Sequence, residues 1–582
     1  MEGEGGMTRT SCRAIGLGLA AAIGVAGVAA QAPDQPRATF FAPVEVHLVS
    51  IDVYASHRDG RPVPGLRLED FEIFEDGKPV VISHFYAAPG VVEPAAGDAV
   101  VPDEGTYDAG PEQNLYLVIF FDDTNLSRGR RQAAVDHLKG FLASELPADL
   151  SVMVVRYDGG MHVEQSFSEE TDEVIAAIEE IQGSASLSRR LDENRILREM
   201  ENATTAASMN VQGAVDILEA AGYSLLQNID SYADQTVHRM RNSIENQKRL
   251  IRSLSGLNGR KAVLLVSDGV EARPGEMLYR AWAQTFGDIP VFQVDAKRAF
   301  LQASRNNLGR DFNELARFAN GHRVSFYTLS GLGSGQARAM SAETRLMDEG
   351  NLAVDQEMSE DVTIAYMAGM TGGRPLVNSP ALAEQLEEVS VELASYYSVA
   401  FEPSHVGDGK YHRLDVKVKR DRVHVRHREG YLDLPRSEQM ADHTLAAAVY
   451  GVADNPLGIT LANGEITLWD DGTFLVPVII TVQIGELILI PAEEEHRGQI
   501  SILLTVCDER GGLSPPQLQV YPVPIRNADL ATALSQQAGF TLRLAMRPGK
   551  QRIAVGVRDD IARTESVTII EVLVGDSGGV DG

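Results

Sequence analysis

The residues with the strongest claim to chemistry close an apolar run: Phe120-Phe121-Asp122-Asp123-Thr124-Asn125-Leu126-Ser127. Asp123, Asn125 and Ser127 fall at alternate positions and offer a carboxylate, an amide carbonyl and a hydroxyl oxygen. Hard oxygen donors of this kind suit Mg²⁺, Ca²⁺ or Mn²⁺. A second acid follows another apolar run, in Val266-Ser267-Asp268-Gly269. Ligands of a parallel α/β sheet sit at the C-terminal ends of its strands. If the two runs are neighbouring strands, Asp123 and Asp268 converge there. Two carboxylates held close repel each other, and a divalent cation relieves the repulsion. A register using Asp122 and Thr124 puts Leu126 where an oxygen is needed, so Asp123 is preferred. The alternative is that Asp123 and Asp268 only cap helices and turns.

Such a site needs a sheet beneath it, and the chain supplies the pattern. Residues 115–121, 150–157, 261–267 and 324–329 are apolar runs of strand length, as buried parallel strands are. Between and after them, 133–146, 171–181 and 381–394 carry helical apolar spacing. This alternation predicts a mainly parallel sheet covered by helices. Residues 187–256 interrupt it as a helical insertion, with Ile229, Ala233, Val237, Met240, Ile244, Ile251 and Leu254 at 3–4 spacing. Residues 331–360, rich in Gly, Ser, Ala and charge, are expected to be mobile. Residues 40–90 alternate like strands and form a small β-module, followed by a Pro/Gly/acid-rich linker at 91–112. Strands in 404–432 complete that module, and seven short strands in 440–577 fit a β-sandwich.

In order and spacing, the strand–DxSxS–helix segment and the later strand–SDG segment resemble the metal-ion-dependent adhesion site of von Willebrand factor A-type (VWA) domains. Further matches are Gly60, Gly65-Leu66, Asp70-Phe71, Thr371-Gly372-Gly373-Arg374, 396–403 and Arg428-Glu429-Gly430-Tyr431. With these the chain is similar to the VWFA-related secreted proteins of Acidobacteria, over roughly residues 40–432. The resemblance implies a Rossmann-like VWA domain at 113–403. It also implies a metal set of Asp123, Asn125, Ser127 and Asp268, with an open position for an acidic residue of a protein partner. Asn125 stands where the family has Ser. The family's Gly-Gly-Thr loop corresponds to Gly183-Ser184-Ala185-Ser186, so Ser184 stands in for its Thr. The implied role is binding or adhesion; a metal-free envelope scaffold with a degenerate site is the alternative.

Bulk properties agree with export and binding. Arg9 and Arg13 precede an apolar Ala/Gly-rich run, so residues 1–30 read as a signal peptide cut before Gln31. That run is short for a membrane span, and the mature chain is expected to be periplasmic or extracellular. The net charge of −30 repels phosphate backbones and argues against nucleic acid. Only Cys507 remains after cleavage, so no intrachain disulfide is expected, and a buried, inert thiol is. No nucleophile elbow, Walker loop, zincin or paired-cysteine motif is present, so no enzyme is expected. The set His412, His424 and His427 with Arg426 and Arg428 reads as a basic strand face.

Overall fold

The computed structural model describes residues 48–575 except 93–113, 127, 145, 148, 182–188, 210–213, 268, 270–271, 331–359, 378–380 and 470–471. The signal segment, nearly all of the 91–112 linker and nearly all of 331–360 lie outside the described residues. Two compact units appear. One holds His47–Leu254 and Asn258–Leu434; the other is built mainly from Pro435–Gly582.

The first unit starts with β1 (Val49–Ser56), β2 (Phe71–Glu75), β3 (Lys78–Val80) and β4 (Ile82–Ala87). The central sheet then comprises β5 (Leu115–Asp122), β6 (Leu150–Tyr157), β7 (Met161–Ser168), β8 (Arg260–Ser267), β9 (Val324–Ser330) and β10 (Pro375–Val377). After it come β11 (Tyr397–Phe401), β12 (Tyr411–Val418), β13 (His424–Arg426) and β14 (Gly430–Leu432). The central sheet runs β10-β9-β8-β5-β6-β7, parallel throughout except at its β7 edge. All eight residues of β5 are buried, because helices cover both faces of a parallel sheet. Its flanking helices include α1 (Arg128–Leu142) and α2 (Thr171–Ile181), whose Val135, Leu138, Val174 and Ile178 join the β5 and β8 side chains in one core.

The N-terminal strands pair with late ones. One sheet runs β13-β1-β11-β4 and another β14-β12-β2-β3. Ile51, Val53, Phe71, Ile73, Tyr397, Val399, Leu414 and Val416 fill the core they share. Chain segments more than 300 residues apart in sequence therefore complete one β-module, with the central sheet inserted between them.

The interruption after α2 is α3 (Arg189–Met209) and the 42-residue α4 (Ala214–Ser255). Its apolar stripe is buried against α5 (Glu276–Phe286) and α6 (Gln293–Arg305), around Trp282, Phe286 and Phe292. Trp282 Nε1 donates to the carbonyl of Gly222 at 2.8 Å, which satisfies the indole inside this core. Later helices are α7 (Gly309–Gly321), α8 (Glu360–Met370) and α9 (Leu382–Ala394).

In the second unit, α10 (Arg436–Tyr450) stands where the sequence suggested the start of a strand-rich tail. Beyond it, two antiparallel sheets share one core of Val476, Val478 and Ile480 with Ile500, Ile502, Ile553 and Val555. Alternation at period two puts Ala554 on the opposite face, against Ala447 and Ala448 of α10. Cys507 is half-buried rather than buried, and its thiol lies 3.6 Å from the carbonyl of Asp508.

Candidate functional site

In chain order the central sheet reads 3-2-1-4-5-6, the order of a doubly wound α/β fold. The chain leaves β5 towards β6 and later returns to β8 on β5's other side. Ligands of such sheets sit at this reversal, outside the carboxyl ends of the two strands. Phe121 pairs with Val266, so Asp122, Asp123 and Ser267 stand at the rim of that crevice. The two acid-bearing runs are thus neighbours. Asp268 itself, with Ser127 and Ser184, lies outside the described residues.

Local hydrogen bonds fix the turn. The Asn125 amide donates to the carbonyl of Asp122 at 3.0 Å, and the Asp123 amide to that of Tyr157 at 2.8 Å. Asp122 accepts from the Thr124 hydroxyl at 2.6 Å and from Asn125 Nδ2 at 2.7 Å. Asn125 therefore turns its donor, not its carbonyl, to the nearest carboxylate. Its Oδ1 is sealed from solvent and makes no hydrogen bond among the described residues. Leu126 enters the apolar core.

Asp123 meets a cation that spacing did not reveal. Arg131, in the first turns of α1, places Nη2 2.5 Å from Asp123 Oδ1, and the side chains are 1% and 2% exposed. Burial pushes the Asp123 carboxyl above its ordinary value, and the charge of Arg131 counters this only in part. The helical insertion lies over the pair's neighbourhood. The Met240 sulfur of α4 is 3.9 Å from Asn125 Nδ2. Of the expected metal set only Asp123 and Asn125 are among the described residues, and a guanidinium meets Asp123 there. The guanidinium engages Asp123 Oδ1, and Asn125 turns its nitrogen to Asp122 while its Oδ1 makes no hydrogen bond among the described residues.

Two other polar clusters escaped sequence reasoning. Arg260, Arg323, Arg426 and Arg428 line a recess with Ser50, Asp52 and Tyr54. Beneath it Glu392, 1% exposed, accepts from Arg426 at 2.5 Å and from the Tyr327 hydroxyl at 2.7 Å. Burial alone would raise the Glu392 carboxyl, but Arg426, Arg374 and Arg260 outweigh it and hold the group below its ordinary range. The basic strand face of 424–428 is thus partly an internal ion-pair network. His412 leaves that face. It joins His405, Glu75, Asp76, Asp408 and Asp433 at the end of the β14-β12-β2-β3 sheet. Turn chemistry at Asp76-Gly77 and Asp408-Gly409 was the only sequence signal near it.

The site and sheet define a class: a doubly wound α/β domain inserted in an antiparallel β-module and accompanied by a second β unit. No family model and no curated protein matches the chain. Among solved structures, an aerotolerance-related membrane protein from Bacteroides fragilis NCTC 9343 is 9% identical (48% of this chain, 98% of that chain, TM-score 0.22). Manganese-loaded TRAP protein from Plasmodium vivax is 9% identical (55% and 94%, TM-score 0.21). The N-terminal domains of the type V pili tip protein Mfa5 from Porphyromonas gingivalis are 10% identical (91% and 77%, TM-score 0.23). Similarities this slight assign neither a family nor a ligand to this chain.

Proposed function

We propose that this protein is an exported, non-enzymatic binding scaffold of VWA type whose adhesion-like site has become an internal ion pair. The Asp123–Arg131 contact carries the reading. A guanidinium on the acid that begins the motif supplies charge complementarity without an ion, and Met240 of α4 packs beside Asn125. Contacts with a protein partner then fall to other surfaces. Among the described residues no helix is long and apolar enough to cross a membrane.

The test is capture of envelope proteins by the immobilised full chain, with Mg²⁺ or with EDTA. The same proteins are retained in both. Retention that vanishes in EDTA and returns with Mg²⁺, but not in Asp123→Asn, sinks the proposal. That outcome is the signature of the cation-dependent adhesion reading, which the unbonded Asn125 Oδ1 favours.

A further inference from the structure

The cluster at the end of the β14-β12-β2-β3 sheet has the parts of a metal site that is separate from Asp123. Glu75 ends β2, His412 lies on β12, and Asp433 follows β14; His405 and Asp408 come from the loop before β12. Glu75, His405 and His412 each present a ligand atom, and these atoms lie within 4.8 Å of one another. The loop is tied in place by its backbone. The amides of Asp408 and Gly409 donate to Asp433 at 3.0 and 2.9 Å, and the Asp433 amide donates to Lys410 at 3.0 Å.

Both imidazoles are oriented alike. His405 Nδ1 lies 3.1 Å from Asp433 Oδ2, and His412 Nδ1 lies 2.9 Å from Asp76 Oδ2. A carboxylate on one ring nitrogen fixes the tautomer and leaves the other nitrogen's lone pair for a metal. Those other nitrogens face carboxylates. His405 Nε2 is 3.3 Å from Glu75 Oε1, and His412 Nε2 is 3.2 Å from Asp408 Oδ1. Two donors on a tetrahedral ion with bonds of about 2.0–2.1 Å stand about 3.3 Å apart. His405 Nε2 is sealed from solvent yet makes no hydrogen bond among the described residues. A lone pair facing a carboxylate oxygen at that distance repels it unless something positive joins them. The Tyr431 hydroxyl donates to the same Glu75 Oε1 at 2.5 Å and steadies it.

Charge points the same way. Glu75, Asp76, Asp408 and Asp433 surround two imidazoles, and the exposed Lys410 pairs with Asp408. A 2+ ion relieves that excess of negative charge. Mixed imidazole and carboxylate donors suit Zn²⁺ or Co²⁺ better than Mg²⁺ or Ca²⁺, which prefer oxygen alone.

We infer that Glu75, His405 and His412, backed by Asp408, bind one transition-metal ion of the Zn²⁺ type that clasps the loop before β12 to β2 and β14. The imidazole rings stack at 3.8 Å between centroids with 18° between planes. Binding one ion through both rings therefore tilts one of them out of the stack.

The full chain, freed of metal by a chelator, is titrated with Zn²⁺ by calorimetry and with Co²⁺ by visible absorption. One equivalent of Zn²⁺ binds and raises the melting temperature, and Co²⁺ develops the ligand-field bands of a tetrahedral ion. His405→Gln abolishes both signals, and Asp123→Asn, outside the cluster, leaves both intact. Asp76 is half exposed, so Asp76→Asn keeps the fold and weakens Zn²⁺ about 10- to 100-fold through the lost support of His412. Absence of Co²⁺ bands in the unaltered chain, or Zn²⁺ affinity unchanged in His405→Gln and Asp76→Asn, overturns the inference and leaves a proton-bridged cluster. Neither result bears on the Asp123–Arg131 pair.

Discussion

Replacing Arg131 with Met keeps an extended side chain in α1 but removes the charge on Asp123. The carboxylate, 2% exposed, then either stays ionised without its partner or takes up a proton. The proton sets a ceiling on the cost. From the ordinary value of 3.8, protonation at pH 7 costs about 1.36 × 3.2, or about 4.4 kcal/mol. At pH 5 the same arithmetic gives about 1.6 kcal/mol. The sign is fixed by linkage. An acid whose folded-state value lies above its unfolded one incurs no penalty below the unfolded value. Its penalty grows as pH rises and levels off above the folded value. The Arg131→Met deficit therefore shrinks on acidification. Asp123→Asn removes the other charge of the pair and leaves a guanidinium that keeps its proton throughout. Its deficit of about 3–5 kcal/mol does not shrink on acidification. The double variant removes both charges and costs less than the two singles together. Denaturant melts of the full chain, followed by circular dichroism at both pH values, read all of this. An Arg131→Met deficit that does not change with pH, or strict additivity in the double variant, would falsify the assignment of Arg131 as the counter-charge of Asp123.

Glu392→Gln takes the charge from beneath Arg426 and Arg374 and costs about 3 kcal/mol near pH 7. The unaltered carboxyl is held below 4.5, so its contribution is complete above that value and fades as pH falls beneath it. The gap between the two melting curves accordingly narrows near pH 3.5; a constant gap counts against the network. Gly222→Ala drives a methyl to 2.6 Å from the Phe292 ring and costs about 1–3 kcal/mol by overpacking. A shift in Trp282 emission reports it, since Trp282 bonds the same carbonyl; unchanged emission and stability refute the packing. Burial, helped by Asp508, pushes the Cys507 thiol above its ordinary value. A thiol reagent near pH 7 modifies it about tenfold faster in the unfolded chain than in the native one, and equal rates rule this out.

Local pattern carried much of the architecture. Unbroken apolar runs marked β5, β6, β8 and β9, because strands buried on both faces leave no room for polar side chains. Short strands between polar turns marked the tail, and in Phe474–Gln483 Val476, Val478, Ile480 and Val482 alternate into a core. The β7 edge strand went unseen because Met161–Ser168 is polar and largely exposed, as an edge can be. The α10 helix went unseen because its buried face is mostly Ala and Met and gives a faint apolar stripe.

The site divides along the same line. Sequence by itself put Asp123 at the end of a buried strand, because strand pattern is local; that the strand ending at Ser267 lies beside it was decided by the sheet order. It could not say what answers the charge of Asp123, because Arg131 is eight residues away and reaches back only through the turn into α1. Nor could it join Glu75 to His405 and His412, which are over 300 residues away along the chain. Those meetings are set by strand register and helix packing. Charges act through distance in space, and the chain's order says little about that until it is folded.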